Sequence, residues 1–171
     1  MATCTVRDLA AEDSIAELTD LLHRAYAELT ADGMRYLASH QSTEMTAQRL
    51  VDATTIVAVD ETGLLVGSIS LAHPDAPNSY LDIYDRVGNS HFFMFGIEPS
   101  LQGSGIGTQL LERVEKLAFD LGADEIACDT AEHAHRLINW YTRLGYVEIG
   151  TVDWDIVNYK SVLLAKRLPR R

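Results

Sequence analysis

The segment that most constrains the fold is FGIEPSLQGSGIGTQLLERVEKLAFDLG, residues 95–122, in which a glycine-rich loop separates two apolar patterns. Before the loop, residues 91–97 (HFFMFGI) are apolar except at His91, which predicts a buried strand. After the loop, apolar residues recur with the period of an α-helix, and Gly122 is placed to end that helix. We therefore expect an α/β domain with a strand, a loop and a helix at its centre.

The remaining elements follow from the same two apolar periodicities. Ser14 and Glu17 have the spacing of a capping box, which predicts where the first helix begins. Gly63 lies in a short connection between two apolar stretches, 54–60 and 64–72, which predicts a hairpin. The other predicted elements are strands at 3–8, 125–130, 146–152 and 160–167, and helices at about 44–53 and from Ala134 to a terminating Gly145. Together they predict a mixed, mostly antiparallel central sheet of about seven strands flanked by about four helices.

The glycine loop, Gln102-Gly103-Ser104-Gly105-Ile106-Gly107, predicts an anion site. The first N–H groups of a helix have no partner within it, the helix dipole adds partial positive charge there, and glycines let a phosphate approach. The spacing excludes two common phosphate loops. No lysine follows at the P-loop position, and the single residue between Gly105 and Gly107 departs from the dinucleotide-binding motif. A glycine-rich turn without a ligand is the alternative.

Composition indicates the setting of such a site. The chain has 171 residues, 47% of them apolar and 23% charged, as expected for one globular domain spanning 1–171. A formal net charge of −11 argues against a general binder of nucleic acid or anionic membranes. The N-terminal residues lack a signal-peptide pattern, and no apolar stretch approaches the length of a membrane helix. Cys4 and Cys128 are the only cysteines, so we expect no disulfide framework and a cytoplasmic protein.

Two motifs resemble the signatures of one enzyme superfamily, the GNAT superfamily of N-acetyltransferases. The glycine loop matches its acyl-CoA motif, Gln/Arg-x-x-Gly-x-Gly/Ala, and Trp140-Tyr141-x-x-x-Gly145-Tyr146 resembles its second signature. The predicted order of elements is also similar over nearly the whole chain. The resemblance implies a single-domain GNAT-like fold. It also implies an acetyl-CoA-dependent N-acetyltransferase that transfers the acetyl group by direct attack of a small or cationic amine.

The resemblance also implies which residues bind acetyl-CoA as cosubstrate. Backbone N–H groups of the loop would hold the pyrophosphate, and the preceding strand would pair its backbone with the pantetheine arm and supply an oxyanion donor near Ile97. Gly96 fits a bulge or a close approach in that strand, or simply makes room between large neighbours. The implied cofactor residues are Phe95, Gly96, Ile97, Gln102, Gly103, Ser104, Gly105, Ile106, Gly107 and Thr108.

Two departures from the superfamily concern cofactor affinity. Gln102 replaces the commoner arginine, which puts less positive charge near the phosphates. Ala134 stands where relatives often carry an asparagine that contacts the cofactor, and His133, His135 or Asn139 would have to replace that contact.

Two residues are candidates for proton transfer. The resemblance implies that Tyr141 is the acid that protonates the departing thiolate, whereas its place on an apolar helix face is also typical of a core tyrosine. His91 occupies the strand position where some relatives place a glutamate base, and strand alternation predicts that it shares a face with Phe93, Phe95 and Ile97. Its alternatives are a solvent-exposed strand end, or a water chain without one dominant base. Asp129 is a further candidate base.

The acceptor residues are expected in the first two helices, their connection and the later loops. The set, rich in carboxylates and aromatic rings as a cationic amine would require, is Tyr26, Glu28, Asp32, Tyr36, His40, Tyr80, Asp82, Tyr84, Asp85, Trp154 and Asp155. The segment 73–89, which holds several of them, is predicted to be a functional loop. A His133-x-His135 pair does not complete a metal site, so no metal is expected. A non-catalytic acyl-CoA-binding module, a protein or peptide acetyltransferase, and a homodimer through the C-terminal strands remain open.

Overall fold

A mixed sheet of seven strands forms the centre of the computed structural model, which describes residues 4–73 and 89–169. The strands are β1 (Cys4–Asp8), β2 (Ala53–Asp60), β3 (Leu65–Ala72), β4 (Asn89–Ile97), β5 (Glu125–Ala131), β6 (Val147–Asp153) and β7 (Lys160–Arg167). Their order across the sheet is β1-β2-β3-β4-β5-β7-β6. The pair β4–β5 is parallel and the other neighbours are antiparallel. The predicted mixed, mostly antiparallel sheet is thus confirmed.

Four α-helices cover the two faces of this sheet. They are α1 (Ile15–Ala31), α2 (Thr43–Arg49), α3 (Ile106–Asp120) and α4 (His135–Arg143). Leucines of α1 pack with Val57 and Met94 on one face, and α2 lies beside α1 through a buried hydrogen bond between Thr19 and Thr46. The apolar side of α3 packs with Ile56 and Ile69 on the opposite face. Alternate strand residues therefore supply two separate apolar clusters, one for each pair of helices.

The helix ends agree with their sequence signals at most positions. The Ser14 side chain accepts a hydrogen bond from the backbone N–H of Glu17 and so caps α1. Gly122 and Gly145 follow α3 and α4 in the left-handed conformation, at φ values of 92° and 93°. The predicted end of α2 is wrong: the helix ends at Arg49, because Asp52 turns the chain with a φ of 57° and β2 begins directly afterwards.

A β-bulge interrupts β4 at Met94. Ser70 of β3 pairs with Phe93, and Ser68 pairs with Gly96. The chain therefore advances by two residues on β3 and by three on β4, so β4 contains one extra residue. Met94, within this interval, has a φ of 47°. The resemblance implied a bulge in this strand, and the structure contains it. The prediction that His91 shares a face with Phe95 and Ile97 is wrong for the same reason. The extra residue reverses the alternation, so Phe93 packs with α1 and Phe95 with the α3 cluster.

The two parallel strands separate soon after they pair. The register of β4 and β5 comprises Asn89–His91 opposite Glu125–Ala127, and the two strands then diverge toward the glycine loop. This divergence opens the centre of the sheet where β4 carries its bulge. Beyond Ala127, β5 keeps its antiparallel pairing with β7 as far as Ala131, so the opening lies on one side of β5 alone.

Most of the predicted functional loop at 73–89 lies outside the described residues. That region includes four of the predicted acceptor residues, Tyr80, Asp82, Tyr84 and Asp85. Among the helices described here, none has both the length and the apolar character needed to cross a membrane.

Candidate active site

A continuous groove of about 1220 Å³ passes through the opening between β4 and β5. One end is lined by the glycine loop and α4, the middle by β4 from His91 to Ile97, and the other end by α1, α2 and the segment before β7. The groove therefore connects the two faces of the sheet. A long ligand entering from the loop side would meet a second ligand in the middle of the sheet.

The loop end of the groove is formed mainly by backbone. Gly103 and Gly105 have φ values of 77° and 93°, and an added Cβ at either would have open space around it. Gly105 is the N-cap of α3, yet no side chain caps this helix and no acidic residue occupies its first turn. The N–H groups and partial positive charge of the helix start therefore face the groove, beside Gly107 and Thr108. This geometry fits the pyrophosphate of coenzyme A.

Not every predicted loop residue points a side chain into the groove. The Ser104 hydroxyl donates to the Leu101 carbonyl at 2.6 Å, which holds it within the loop. Ile106 is buried in the core beneath α3. The side chains of these two residues do not line the groove, whereas Gln102 lines it at the start of the loop. At the other departure from the superfamily, Ala134 is the N-cap of α4 and also lines the groove.

Two side chains hold the bulge in place. The Ser68 hydroxyl donates to the carbonyl of Met94 at 3.0 Å, and the Tyr26 hydroxyl donates to the carbonyl of Phe95 at 2.9 Å. Gly96 is explained by packing, because a Cβ there would lie 2.9 Å from the Cβ of Ala25 in α1. The backbone beside the predicted pantetheine site is thus fixed in position before any ligand arrives.

Tyr141 lies on the α3–α4 side of the sheet and lines the groove. It is 4% exposed, and its ring centroid is 5.9 Å from Phe92 and 5.5 Å from Tyr146. Burial raises the pKa of its phenol well above the ordinary value of 10. The hydroxyl is therefore protonated at neutral pH, as an acid must be before it donates.

His91 lies on the opposite side of the sheet, near the end of α2. Its ring centroid is 5.7 Å from that of Phe93, and both residues line the groove. Burial, and secondly the positive charge of Arg49, lower the pKa of His91 from 6.5 to about 4. The imidazole is therefore neutral at physiological pH. The structure thus brings Tyr141 and His91 into one groove, from opposite faces.

The far end of the groove is an aromatic wall. The rings of Tyr26 and Tyr36 have centroids 5.1 Å apart, and those of Tyr36 and Tyr159 are 4.8 Å apart. The Tyr36 hydroxyl accepts from the backbone N–H of Ala131 at 3.0 Å and forms a 2.8 Å hydrogen bond with Thr130, which anchors the wall to β5.

Two oppositely charged residues flank this wall. Arg49 lies over the Phe93 ring at 5.2 Å from its centroid, and its guanidinium donates to the side-chain oxygen of Gln41. Asp129 accepts from the indole N–H of Trp154 at 3.2 Å, and the same N–H also reaches the Ser161 hydroxyl. Sequence reasoning missed Arg49 and Tyr159 and weighed Asp129 only as a base. A predicted second helix that ended earlier would have placed Arg49 at its C-terminus. That position was the signal in the sequence from which Arg49 could have been found.

The predicted acceptor residues divide into three groups. Five line the groove: Tyr26, Glu28, Asp32, Tyr36 and Trp154. His40 and Asp155 are described but do not line it. The four residues of the 73–89 segment lie outside the described part of the chain. Within the described ranges, no group of three or more His, Cys, Asp or Glu is arranged to hold a metal ion, and the rings of His133 and His135 are 6.3 Å apart.

Comparisons with known proteins agree with this geometry. The sequence pattern of the Acetyltransferase (GNAT) family matches residues 15–146. The chain is 30% identical over 149 residues to the S-(2-succino)cysteine N-acetyltransferase of Bacillus subtilis (strain 168), covering 85% of this chain and 86% of that protein.

Solved structures share the fold at lower identity. A GNAT family acetyltransferase from Elizabethkingia anophelis with acetyl-CoA bound has a TM-score of 0.67 at 17% identity, covering 96% of this chain and 98% of that one. The ribosomal-protein-S18-alanine N-acetyltransferase from Escherichia coli has a TM-score of 0.74 at 14% identity, covering 99% and 96%. The chain therefore belongs to the acetyltransferase (GNAT) family and is an acyltransferase enzyme.

Proposed function

We propose that this protein is an acetyl-CoA-dependent N-acetyltransferase that modifies a small-molecule amine. The observation that carries the proposal is the continuous groove. It joins a helix start without a side-chain cap on one face of the sheet to a polar, aromatic chamber on the other. Two ligands that enter from opposite ends meet beside Tyr141 and His91.

The loop residues fit coenzyme A. Backbone N–H groups from Gly103 to Thr108 would bind the pyrophosphate. The side chains of Ser104 and Ile106 would contribute little, because the Ser104 hydroxyl bonds within the loop and Ile106 packs in the core. The backbone of Phe95–Ile97 would pair with the pantetheine arm along the edge that β4 exposes where it leaves β5. Acetyl-CoA supplies the acetyl thioester, whose carbonyl carbon is the electrophile.

The reaction requires one bond to form and one to break. The neutral amine nitrogen attacks the carbonyl carbon, the carbon–sulfur bond breaks, and the amine loses a proton. Tyr141 would give its phenolic proton to the thiolate, and its raised pKa means that this proton is present over the whole physiological range. A backbone N–H near Ile97, next to the locked bulge, would stabilise the developing oxyanion.

His91 would accept the proton of the amine. It lies on the acceptor side of the bulge, and its lowered pKa of about 4 keeps the imidazole unprotonated at neutral pH. A base with such a low pKa holds a proton only weakly. We therefore expect His91 to pass the proton on to solvent through a water molecule and not to remain protonated.

The acceptor is proposed to be a small amine, and two observations bear on its charge. Glu28 and Asp32 lie along the outer part of the groove, as the predicted cationic amine would require. The similar Bacillus subtilis protein is named for S-(2-succino)cysteine, an S-substituted cysteine that carries one amine and several carboxylates. An amino acid with a substituted side chain therefore joins the candidates. A homodimer through the C-terminal strands stays a prediction.

The test is thiol release from acetyl-CoA by the purified chain with a set of amines. The set comprises S-(2-succino)cysteine, S-methylcysteine, S-methylcysteamine, spermidine and an aminoglycoside. We expect release above the hydrolysis background with at least one small amine, and mass spectrometry should show an added acetyl group on its nitrogen. If acetyl-CoA raises the melting temperature but no amine is acetylated, the proposal fails in favour of a non-catalytic acyl-CoA-binding module. Acetylation of peptides alone would indicate a protein acetyltransferase instead.

A further inference from the structure

We infer that the acceptor of this enzyme carries a carboxylate as well as its amine, that Arg49 binds the carboxylate, and that Asp129 faces the ammonium group. The inference rests on the proposed N-acetyltransferase function and narrows its substrate class to amino acids and related amino carboxylates. Three features carry it: the way Arg49 is held, the position of Asp129 on the other strand of the opening, and the aromatic wall in the same groove.

Arg49 is held in place by a buried network. Its guanidinium lies over the Phe93 ring and donates from one Nη to the side-chain oxygen of Gln41. Gln41 is 1% exposed, and its amide nitrogen donates to the Thr46 hydroxyl at 2.7 Å and to the sulfur of Met94 at 3.4 Å. A long flexible cation would not keep one geometry without such support. This arginine is thus positioned at the groove, and a planar guanidinium suits recognition of a carboxylate.

Asp129 lies opposite this arginine, across the opening between the strands. His91 pairs with Ala127 and both strands run in the same direction, so Phe93 and Asp129 each lie two residues beyond this last pair, on the two strands that border the opening. Residues two apart on a strand share a face, so Asp129 lies on the same face as Phe93 and Arg49. The hydrogen bond from Trp154 fixes the orientation of its carboxylate. The two charges therefore face one chamber from its two walls.

Two tyrosines of the aromatic wall respond to both charges. The positive charge of Arg49 favours ionisation of Tyr26 and Tyr159, and the negative charge of Asp129 opposes it, while burial dominates and raises both pKa values. Both hydroxyls therefore lie within electrostatic reach of each charge. A ligand that fills the space beside these rings would have one pole near each side chain.

A purely cationic acceptor fits this chamber less well. A polyamine would place positive charge near Arg49, and charge repulsion in a partly buried site is costly. An amino acid matches the chamber, because its carboxylate is opposite in charge to Arg49 and its ammonium group is opposite in charge to Asp129. The Tyr26, Tyr36 and Tyr159 rings would contact the side chain of such an acceptor.

The test compares two acceptors that differ by a single carboxylate, S-methylcysteine and S-methylcysteamine. For the wild-type chain we expect kcat/KM to be about tenfold or more higher with S-methylcysteine, as a charged hydrogen bond would give. Arg49→Gln should remove most of this preference through KM, and the quantity to compare is the ratio of kcat/KM for the two acceptors, because loss of the charge near His91 affects both of them. Arg49→Lys, which keeps the charge but loses the planar donors, should fall between the two.

Two further variants complete the comparison. Arg113→Gln makes the same change on the exposed side of α3, where Arg113 pairs with Asp8 at 3.4 Å, and it should leave the preference intact. Asp129→Asn keeps an oxygen that can accept from Trp154, and it should lower kcat/KM for both acceptors alike, because both carry the amine. Melting temperatures of all variants show whether a change in rate reflects loss of the fold.

The outcomes separate this inference from the proposed function. Amine acetylation with an equal loss for both acceptors in Arg49→Gln would overturn the role of Arg49 while the N-acetyltransferase function stands. A wild-type preference for S-methylcysteamine would overturn the substrate class. If no amine is acetylated, the proposed function fails, and titration of S-methylcysteine into the chain with coenzyme A present decides the inference by calorimetry. Binding lost in Arg49→Gln supports it, and equal or absent binding overturns it.

Discussion

The two ends of the groove are built from different parts of the polypeptide. The end proposed for the cofactor combines the segment Phe95–Thr108, which offers mainly backbone N–H and C=O groups, with side chains of α4. The acceptor end collects side chains from α1, α2, β4, β5 and the segment before β7. A phosphate binds equally well to any correctly placed N–H group, whereas an acceptor is selected by particular side chains. The chemistry of the donor can thus stay constant in this fold while the acceptor changes.

The largest expected effect lies where the two ends meet. Tyr141→Phe removes the proposed acid and should lower kcat by about 100-fold or more, with the dissociation constant for acetyl-CoA changed by less than about twofold. Stopped-flow thiol release and calorimetry measure the two quantities.

Tyr146→Phe is the matched control for this change. Tyr146 is a buried neighbour of Tyr141, but its hydroxyl donates to Glu115 of α3 at 2.9 Å. We expect it to lower the melting temperature and to leave kcat nearly unchanged. Equal kcat values for the wild type and Tyr141→Phe would show that Tyr141 is not the acid that protonates the thiolate.

A smaller effect tests whether backbone conformation is what binds the cofactor. Gly105→Ala places a Cβ at a φ of 93°, a conformation that costs an L-residue roughly 1–2 kcal/mol. The free loop should therefore relax to another conformation, and restoring the binding conformation should lower acetyl-CoA affinity by about tenfold. Gly107→Ala lies in the same loop without a positive φ, and its Cβ would make ordinary contacts with Phe95, Ile97 and Trp140 at 3.7–4.0 Å.

Gly107→Ala should therefore keep its affinity for acetyl-CoA. It should also raise the free energy of unfolding by about 0.5–1 kcal/mol, because alanine is a better helix former than glycine. Calorimetry and urea unfolding measure both variants. If Gly107→Ala lost affinity as much as Gly105→Ala, close approach of the ligand to Gly107 would matter more than the conformation of Gly105.

The last effect concerns a side chain at the acceptor end and acts on stability at low pH, without a change in activity at neutral pH as its readout. The pKa of His91 in the folded protein, about 4, lies below its ordinary value of 6.5. As the pH falls through this interval, His91 takes up a proton in the unfolded chain but stays neutral in the folded chain. The free energy of unfolding therefore decreases between about pH 6.5 and pH 4. His91→Gln should make the decline less steep, by at most about 1.4 kcal/mol per pH unit. Urea unfolding at several pH values measures the slope, with the exposed His40→Gln as control. An unchanged slope in His91→Gln would contradict the burial of a neutral imidazole.

The same difference between the two ends explains what could be predicted from the sequence. The glycine loop, its helix and the order of strands were predictable, because a positive φ requires glycine and because apolar periods of 2 and 3.6 mark strands and helices. The acceptor end was only partly predictable. Arg49 and Asp129 are 80 positions apart in the printed sequence, and they reach one groove only because Arg49 lies over Phe93 of β4 and because β4 and β5 run parallel before they diverge.

Two local errors had physical causes of their own. Asp52 adopts a left-handed conformation, and no glycine at this position indicated that the helix would end. The second helix was therefore predicted to be too long. Met94 does the same within a strand, so alternation carried across the bulge assigned His91 to the wrong partners. Asparagine and aspartate tolerate this conformation better than most residues, but a methionine gives no such signal.

The bulge at Met94 also separates two regions of β4 that can evolve under different demands. Side chains before the bulge border the end of the groove proposed for the acceptor, and side chains after it border the end proposed for acetyl-CoA. On the proposed function, substitutions at 91–93 would change the choice of amine without altering how residues 95–97 bind acetyl-CoA. A designer who wishes to change the acceptor of this enzyme would vary the residues on one side of Met94 and leave the other side untouched.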